Sequence, residues 1–253
     1  MKCFKAIFAA STVFCAIMLA APGILLAGPP FLTEDSGTQG KGNVEAEFTF
    51  EYQKADDGAK TKTLGNSFAL GIAPKTDLSI GYSYDFVNVP DGDNSRGMND
   101  VEVQLKTALN DGNGWLPTFG IKGGVSLPVE SGGQTTVLLT GIAQWEFEPF
   151  SVFANVGADI GTRLAGNDER SDAIRAGIAG SWSVVESLKL VSEITWSKVT
   201  NPHREGSVWD WMIGTRWSLN DTMTLAAGLR IGLNDNAQDY AVSVGFSWAF
   251  HGN

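Results

Sequence analysis

Cysteine is almost missing from this chain. Its 253 residues hold two, Cys3 and Cys15, and both fall in the apolar stretch before Ala27. Everything beyond Ala27 is therefore without a disulfide, a thiolate metal site or a thiol nucleophile. Histidine is as scarce: His203 and His251 are the two present. No zinc-type histidine pair, no G-x-S-x-G and no phosphate-binding glycine loop occurs. No catalytic, metal or cofactor-binding residues are expected, and the chain is not read as an enzyme. His203, in NPHREG beside Glu205, reads as a surface-loop histidine. Asp91, Asp93, Ser95 and Glu102 follow part of a calcium-loop spacing, but Arg96 stands where that loop needs glycine.

Basic charge is also short. Eighteen Lys and Arg face 28 Asp and Glu, a net charge of -10. Loss of Lys2 and Lys5 with a leader would take it near −12. Phosphates would be repelled, so nucleic acid is not an expected partner. Long apolar runs are lacking too once the first 27 residues are passed. No run of ~18 apolar residues remains to cross a membrane as a helix.

The first residues read as an export signal. MKCFK is basic, and AIFAASTVFCAIMLAAPGILLA that follows carries no charge. Pro22 and Gly23 interrupt the run and argue against a retained membrane helix. Phe14 before Cys15 argues against lipid attachment. The expected division is a signal peptide over 1–27, a periplasmic or plug segment over 28–42, and a single β-domain over 43–250.

What the chain has in abundance is alternation. In YAVSVGFSWAF, Tyr240, Val242, Val244, Phe246, Trp248 and Phe250 are large and apolar, and the residues between are small. GNVEAEFTFEY sets Val44, Ala46, Phe48, Phe50 and Tyr52 against Glu45, Glu47, Thr49 and Glu51. Period two over such lengths predicts strands. Twelve are expected, at 43–53, 61–73, 77–88, 99–110, 115–127, 135–147, 150–162, 172–184, 187–199, 207–219, 222–234 and 239–250. They exceed the usual ~5–6 residues of soluble strands and match the ~9–11 needed to cross a bilayer at a tilt. Connections alternate as well. PKT, NDGNG, EPF, VES and LND are short; QKADDGAK, NVPDGDNSRGM, PVESGGQT, TRLAGNDERS and TNPHREG are longer and more polar. Short periplasmic turns and long outer loops are the habit of outer-membrane barrels.

Alternation alone does not say which face is outside. Twelve strands with Trp, Tyr, Phe and Leu all turned inward would overfill a cylinder, since eight strands already leave room only for side chains. The other face carries glycine, serine and charge, which suit a crowded lumen. In SVWDWMIGTRWSL, Trp209 and Trp211 open the strand and Trp217 closes it on the same face. Their spacing along a tilted strand, roughly 15–20 Å, approaches that of two interfacial aromatic belts. The expected fold is an all-β, twelve-stranded antiparallel up-and-down transmembrane β-barrel in the outer membrane of a Gram-negative bacterium, with lipid as its outer partner.

On that reading Glu102, Lys106, Lys122, Arg175, Glu193, Asp210, Arg216 and Arg230 line the lumen. They make either a polar passage or an internal ion-pair network that fills the barrel. Leu138, Ile142, Phe153 and Val191 interrupt the polar face with an apolar patch, a place for a greasy solute or simply local packing.

The stretch GPPFLTEDSGTQGKGNVEAEFTFEY resembles the start of the bacterial outer-membrane family of MetA-pathway phenol-degradation proteins. Pro30, Phe31, Thr33, Glu34, Asp35 and the glycines ahead of the first strand carry the likeness. MNDVEVQLKTAL (98–109) is similar to that family's fourth-strand region, with Asn99 in place of Gly. SLPVESG is similar to its Leu-Pro motif, with Val129 and Glu130 in place of Thr and Gly. The resemblance implies a barrel and passage of hydrophobic or aromatic compounds; it supplies no binding residues. One departure is that HGN follows Phe250, where such barrels commonly end on an aromatic. The function expected is passive uptake of small molecules through a channel or transporter. A barrel with a packed lumen, serving surface interaction or envelope integrity, is the alternative. The solute and the oligomeric state are not set by the sequence.

Overall fold

A computed structural model describes residues 29–90, 92–129, 133–161, 172–200 and 206–251. The expected signal peptide, His203 and Asp91 lie outside these described residues.

Thirteen strand segments follow one another: β1 (Val44–Lys54), β2 (Lys60–Ala73), β3 (Thr76–Asn88), β4 (Ser95–Met98), β5 (Val101–Ala108), β6 (Thr118–Leu127), β7 (Thr136–Phe147), β8 (Phe150–Gly161), β9 (Asp172–Val185), β10 (Leu188–Thr200), β11 (Ser207–Ser218), β12 (Met223–Gly232) and β13 (Tyr240–Phe250). Consecutive strands pair antiparallel, except that β4 and β5 both pair with β3, and β1 pairs with both β2 and β13, from Val44 opposite Phe250 to Lys54 opposite Tyr240. The sheet is therefore closed. Among the described residues every stave is paired on both sides, and only the short segment β4, toward the long-loop rim, has a single neighbour; in hydrocarbon an unbonded N–H or C=O costs several kcal/mol.

β4 and β5 are two pieces of one stave, so the barrel has twelve staves. The expected unbroken strand over 99–110 is corrected here. Tyr84 faces Met98 and Gly81 faces Glu102, which puts one extra residue on the β4–β5 side. This is a β-bulge. Asn99 holds it: its N–H donates to the Ser83 carbonyl and its Nδ2 to Ser83 Oγ, both at 2.8 Å. The next strand also starts later than expected, at Thr118 rather than 115. Pro117 has no N–H to give a ladder. Asn110 instead ties the turn, accepting from the Phe119 N–H at 2.7 Å and donating to the Pro117 carbonyl at 3.0 Å. Trp115 sits on that turn, 87% exposed.

The large apolar side chains face outward. Ile178, Val156, Ile213, Val244 and Ile194 are among the exposed ones, at mid-height on their strands. Aromatics gather toward the two ends of this surface. Tyr52 with Tyr240 and Trp196 with Trp209 pair near the long-loop rim, at 6.2 and 6.3 Å between ring centroids. Phe150 with Trp182 and Trp115 with Phe147 pair near the short-turn rim, at 6.1 and 5.5 Å. An apolar band between two aromatic girdles is what a bilayer selects. Ala46, also on this face, is buried because Phe68 and Trp248 flank it on the neighbouring strands.

Candidate functional site

Residues 29–43 do not hang below the barrel. They run once around the inside of its wall as a belt and touch every stave on the way. Pro29 lies against Gly245 of β13, and Pro30 against Gly228 of β12 and Gly214 of β11. The Leu32 and Thr33 N–H groups donate to the Glu193 carboxylate of β10 at 2.9 and 3.0 Å. Thr33 also sits over Gly177 of β9. The Glu34 N–H donates to Asn155 Oδ1 of β8 at 2.6 Å, and Asn155 Nδ2 returns a bond to the Glu34 carbonyl at 2.9 Å. Ser36 donates N–H and Oγ–H to Gln144 Oε1 of β7, each at 2.9 Å. Lys122 of β6 pairs with Glu34, and Lys106 of β5 with Asp35 at 3.2 Å. The Gln39 N–H donates to Asp77 of β3 at 2.9 Å, and its side-chain amide to Glu45 of β1. Gly40 then crosses Gly71 of β2, and the chain turns into β1.

Glycines make room for this path. A Cβ on Gly71 would fall 1.8 Å from the Gly40 carbonyl oxygen, and one on Gly245 would fall 2.3 Å from the Pro29 ring. Only a residue without a side chain lets the belt lie so close to the wall.

The belt divides the lumen. Above it, toward the long loops, is a cavity of about 760 Å³; below it, toward the short turns, is one of about 450 Å³. The carboxylates of the upper cavity are Glu34, Glu45, Glu47, Glu51, Asp77, Asp100 and Glu102; its cations are Lys106, Lys122 and Arg230. The lower cavity is balanced, with Asp35, Asp111 and Glu146 against Lys75, Lys189 and Arg216.

Each residue singled out from the sequence has a definite place. Lys106 and Lys122 anchor the belt, and Lys106 also reaches Glu34 at 4.0 Å. Glu193, 2% exposed, is the acceptor for the belt's first half. Arg230 bonds Glu51 at 3.1 Å in the upper cavity. Glu102 lines the same cavity and accepts from the Gln104 amide. Asp210 accepts from Gln238 at 2.8 Å, and Arg175 pairs with Asp159 at 2.8 Å. Arg216 lines the lower cavity within electrostatic reach of Asp35, Glu47 and Glu45. Leu138, Ile142, Phe153 and Val191 are all buried. Phe153 meets the ring of Phe31 at 5.8 Å, so the belt covers part of this apolar surface.

Alternation did not reveal Asp77, Gln144 and Asn155 as belt seats. Part of the path is marked by inner-face glycines: Gly71, Gly120, Gly177, Gly214, Gly228 and Gly245 lie against the belt.

A closed twelve-stave barrel, greasy outside and charged within, defines a β-barrel of the outer-membrane kind. The chain belongs to the family described as "Putative MetA-pathway of phenol degradation", whose model matches residues 27–250. No curated protein sequence matches it. Among solved structures it is similar to an outer membrane channel from Pseudomonas putida F1, with TM-score 0.62 and 13% identity, covering 92% of this chain and 100% of that one. It is similar to the NanC porin at TM-score 0.59 and 13% identity, covering 80% and 98%. It is similar to the KdgM porin at TM-score 0.53 and 14% identity, covering 82% and 99%. At these identities the likeness is one of fold.

Proposed function

We propose that this protein is a passive outer-membrane channel for small molecules, with the belt as its constriction. The observation that carries this reading is the pair of polar-lined cavities, one on each side of residues 31–39, inside a wall closed against lipid. A barrel whose role is only structural gains nothing from such space. Twelve staves also stand between the side-chain-filled eight and the open sixteen. The family's description and the aromatic lining at Phe31 and Phe153 support small aromatic compounds as solutes.

The test is conductance. The mature chain in planar bilayers should give small discrete currents, and a variant lacking residues 29–42 should give currents several-fold larger. Silence from both proteins, each shown to be folded by heat-modifiable gel mobility, would favour the packed-lumen alternative.

A further inference from the structure

The two cavities differ in charge. Seven carboxylates and three cations face the upper one, whereas three of each face the lower. The upper cations are engaged already: Lys122 with Glu34, Lys106 with Asp35 and Arg230 with Glu51. Glu47, Asp100 and Glu102 take hydrogen bonds from uncharged donors instead. Ser67 and Ser247 donate to Glu47, Ser126 to Asp100, and the Gln104 amide to Glu102. Such bonds orient a carboxylate without cancelling its charge, and of the three only Glu47 is also within electrostatic reach of a cation below the belt, Arg216. The wall behind them faces hydrocarbon, which focuses the field into the cavity. At ~0.1 M salt the Debye length of ~10 Å is comparable to the width of such a vestibule, so the field reaches across it.

We propose that the upper vestibule selects by charge, admitting cations and neutral molecules in preference to anions, with Glu47, Asp100 and Glu102 as specificity-determining residues. This is a field across a passage, not a fixed ion site. It deepens the channel reading and rests on it. Of two aromatic solutes of equal size, the amine or the neutral phenol passes ahead of the carboxylate. The lower vestibule, balanced in charge, adds no opposing preference.

The measurement is the reversal potential of the mature chain in planar bilayers under a KCl gradient. Near 0.1 M salt the permeability ratio of K+ to Cl− is expected at roughly 3 or more. It should fall toward 1 in the triple variant Glu47→Gln, Asp100→Asn, Glu102→Gln. The wild-type chain gives a second arm that needs no variant: near 1 M, where the Debye length is ~3 Å, the preference should collapse. Current with a ratio at or below 1 at low salt, or a ratio indifferent to both the variant and the salt, overturns the selectivity and leaves the channel standing. No current from either the full or the belt-deleted chain removes the channel itself, and this inference with it.

Discussion

Single residues hold the belt, and Glu193 is the most committed of them. Its carboxylate is buried and accepts the N–H groups of both Leu32 and Thr33. A hydrogen bond to a charged acceptor contributes ~1.5–3 kcal/mol, and a buried N–H left bare costs ~1–3. Glu193→Ala should therefore free the belt's first half while the barrel stays folded. Residues 28–253 hold no cysteine, so in a chain begun at residue 28 Leu32→Cys, 56% exposed into the upper cavity, carries a single spin label. Its spectrum should sharpen from slow to fast motion when Glu193→Ala is added. An unchanged spectrum would mean that Glu193 does not secure this segment. Little of this bond pattern could be read from the linear chain. The partners lie more than 100 residues apart, and nothing in Asn155 or Gln144 distinguishes them from any other lumenal amide. The basic partners were more legible, because a lysine on the inner face of a barrel needs an acid nearby and TED supplies it.

Strands were the most legible element. Period-two patterning fixed their faces, since a one-residue slip would turn every apolar side chain into the lumen. The two largest shifts of bounds have local causes that alternation does not carry: an asparagine that inserts a bulge and a proline that delays a strand. The outward face predicts its own test. Ile178 sits mid-strand in β9, 64% exposed and between Ala154 and Ile194 on its neighbours. Ile178→Arg puts a charge near the bilayer midplane and should destabilise the folded barrel by ~2–4 kcal/mol. A lower urea midpoint for folding into lipid vesicles checks this; an unaltered midpoint would place Ile178 away from lipid.

At the scale of the whole molecule, the exposed apolar band is too large for water. The mature chain should disperse as folded barrels only with detergent or lipid, and aggregate once detergent is removed. A compact, detergent-free monomer in a sedimentation experiment would invert the assignment of inside and outside. Overall shape was open to sequence reasoning because closure follows from strand number, length and the greasiness of one face. Cavity volume was not, because it depends on where residues 29–43 lie, and those residues have no periodicity to read.

That inner loop of chain has a consequence for biogenesis. Its seats are shared among all the staves, those at the start of the polypeptide and those at its end. A partly zipped cylinder offers only some of them, and β13 brings the place for Pro29 last. The lasso can tighten fully only after the final seam has closed, so a segment made before any of the staves is last to find its home.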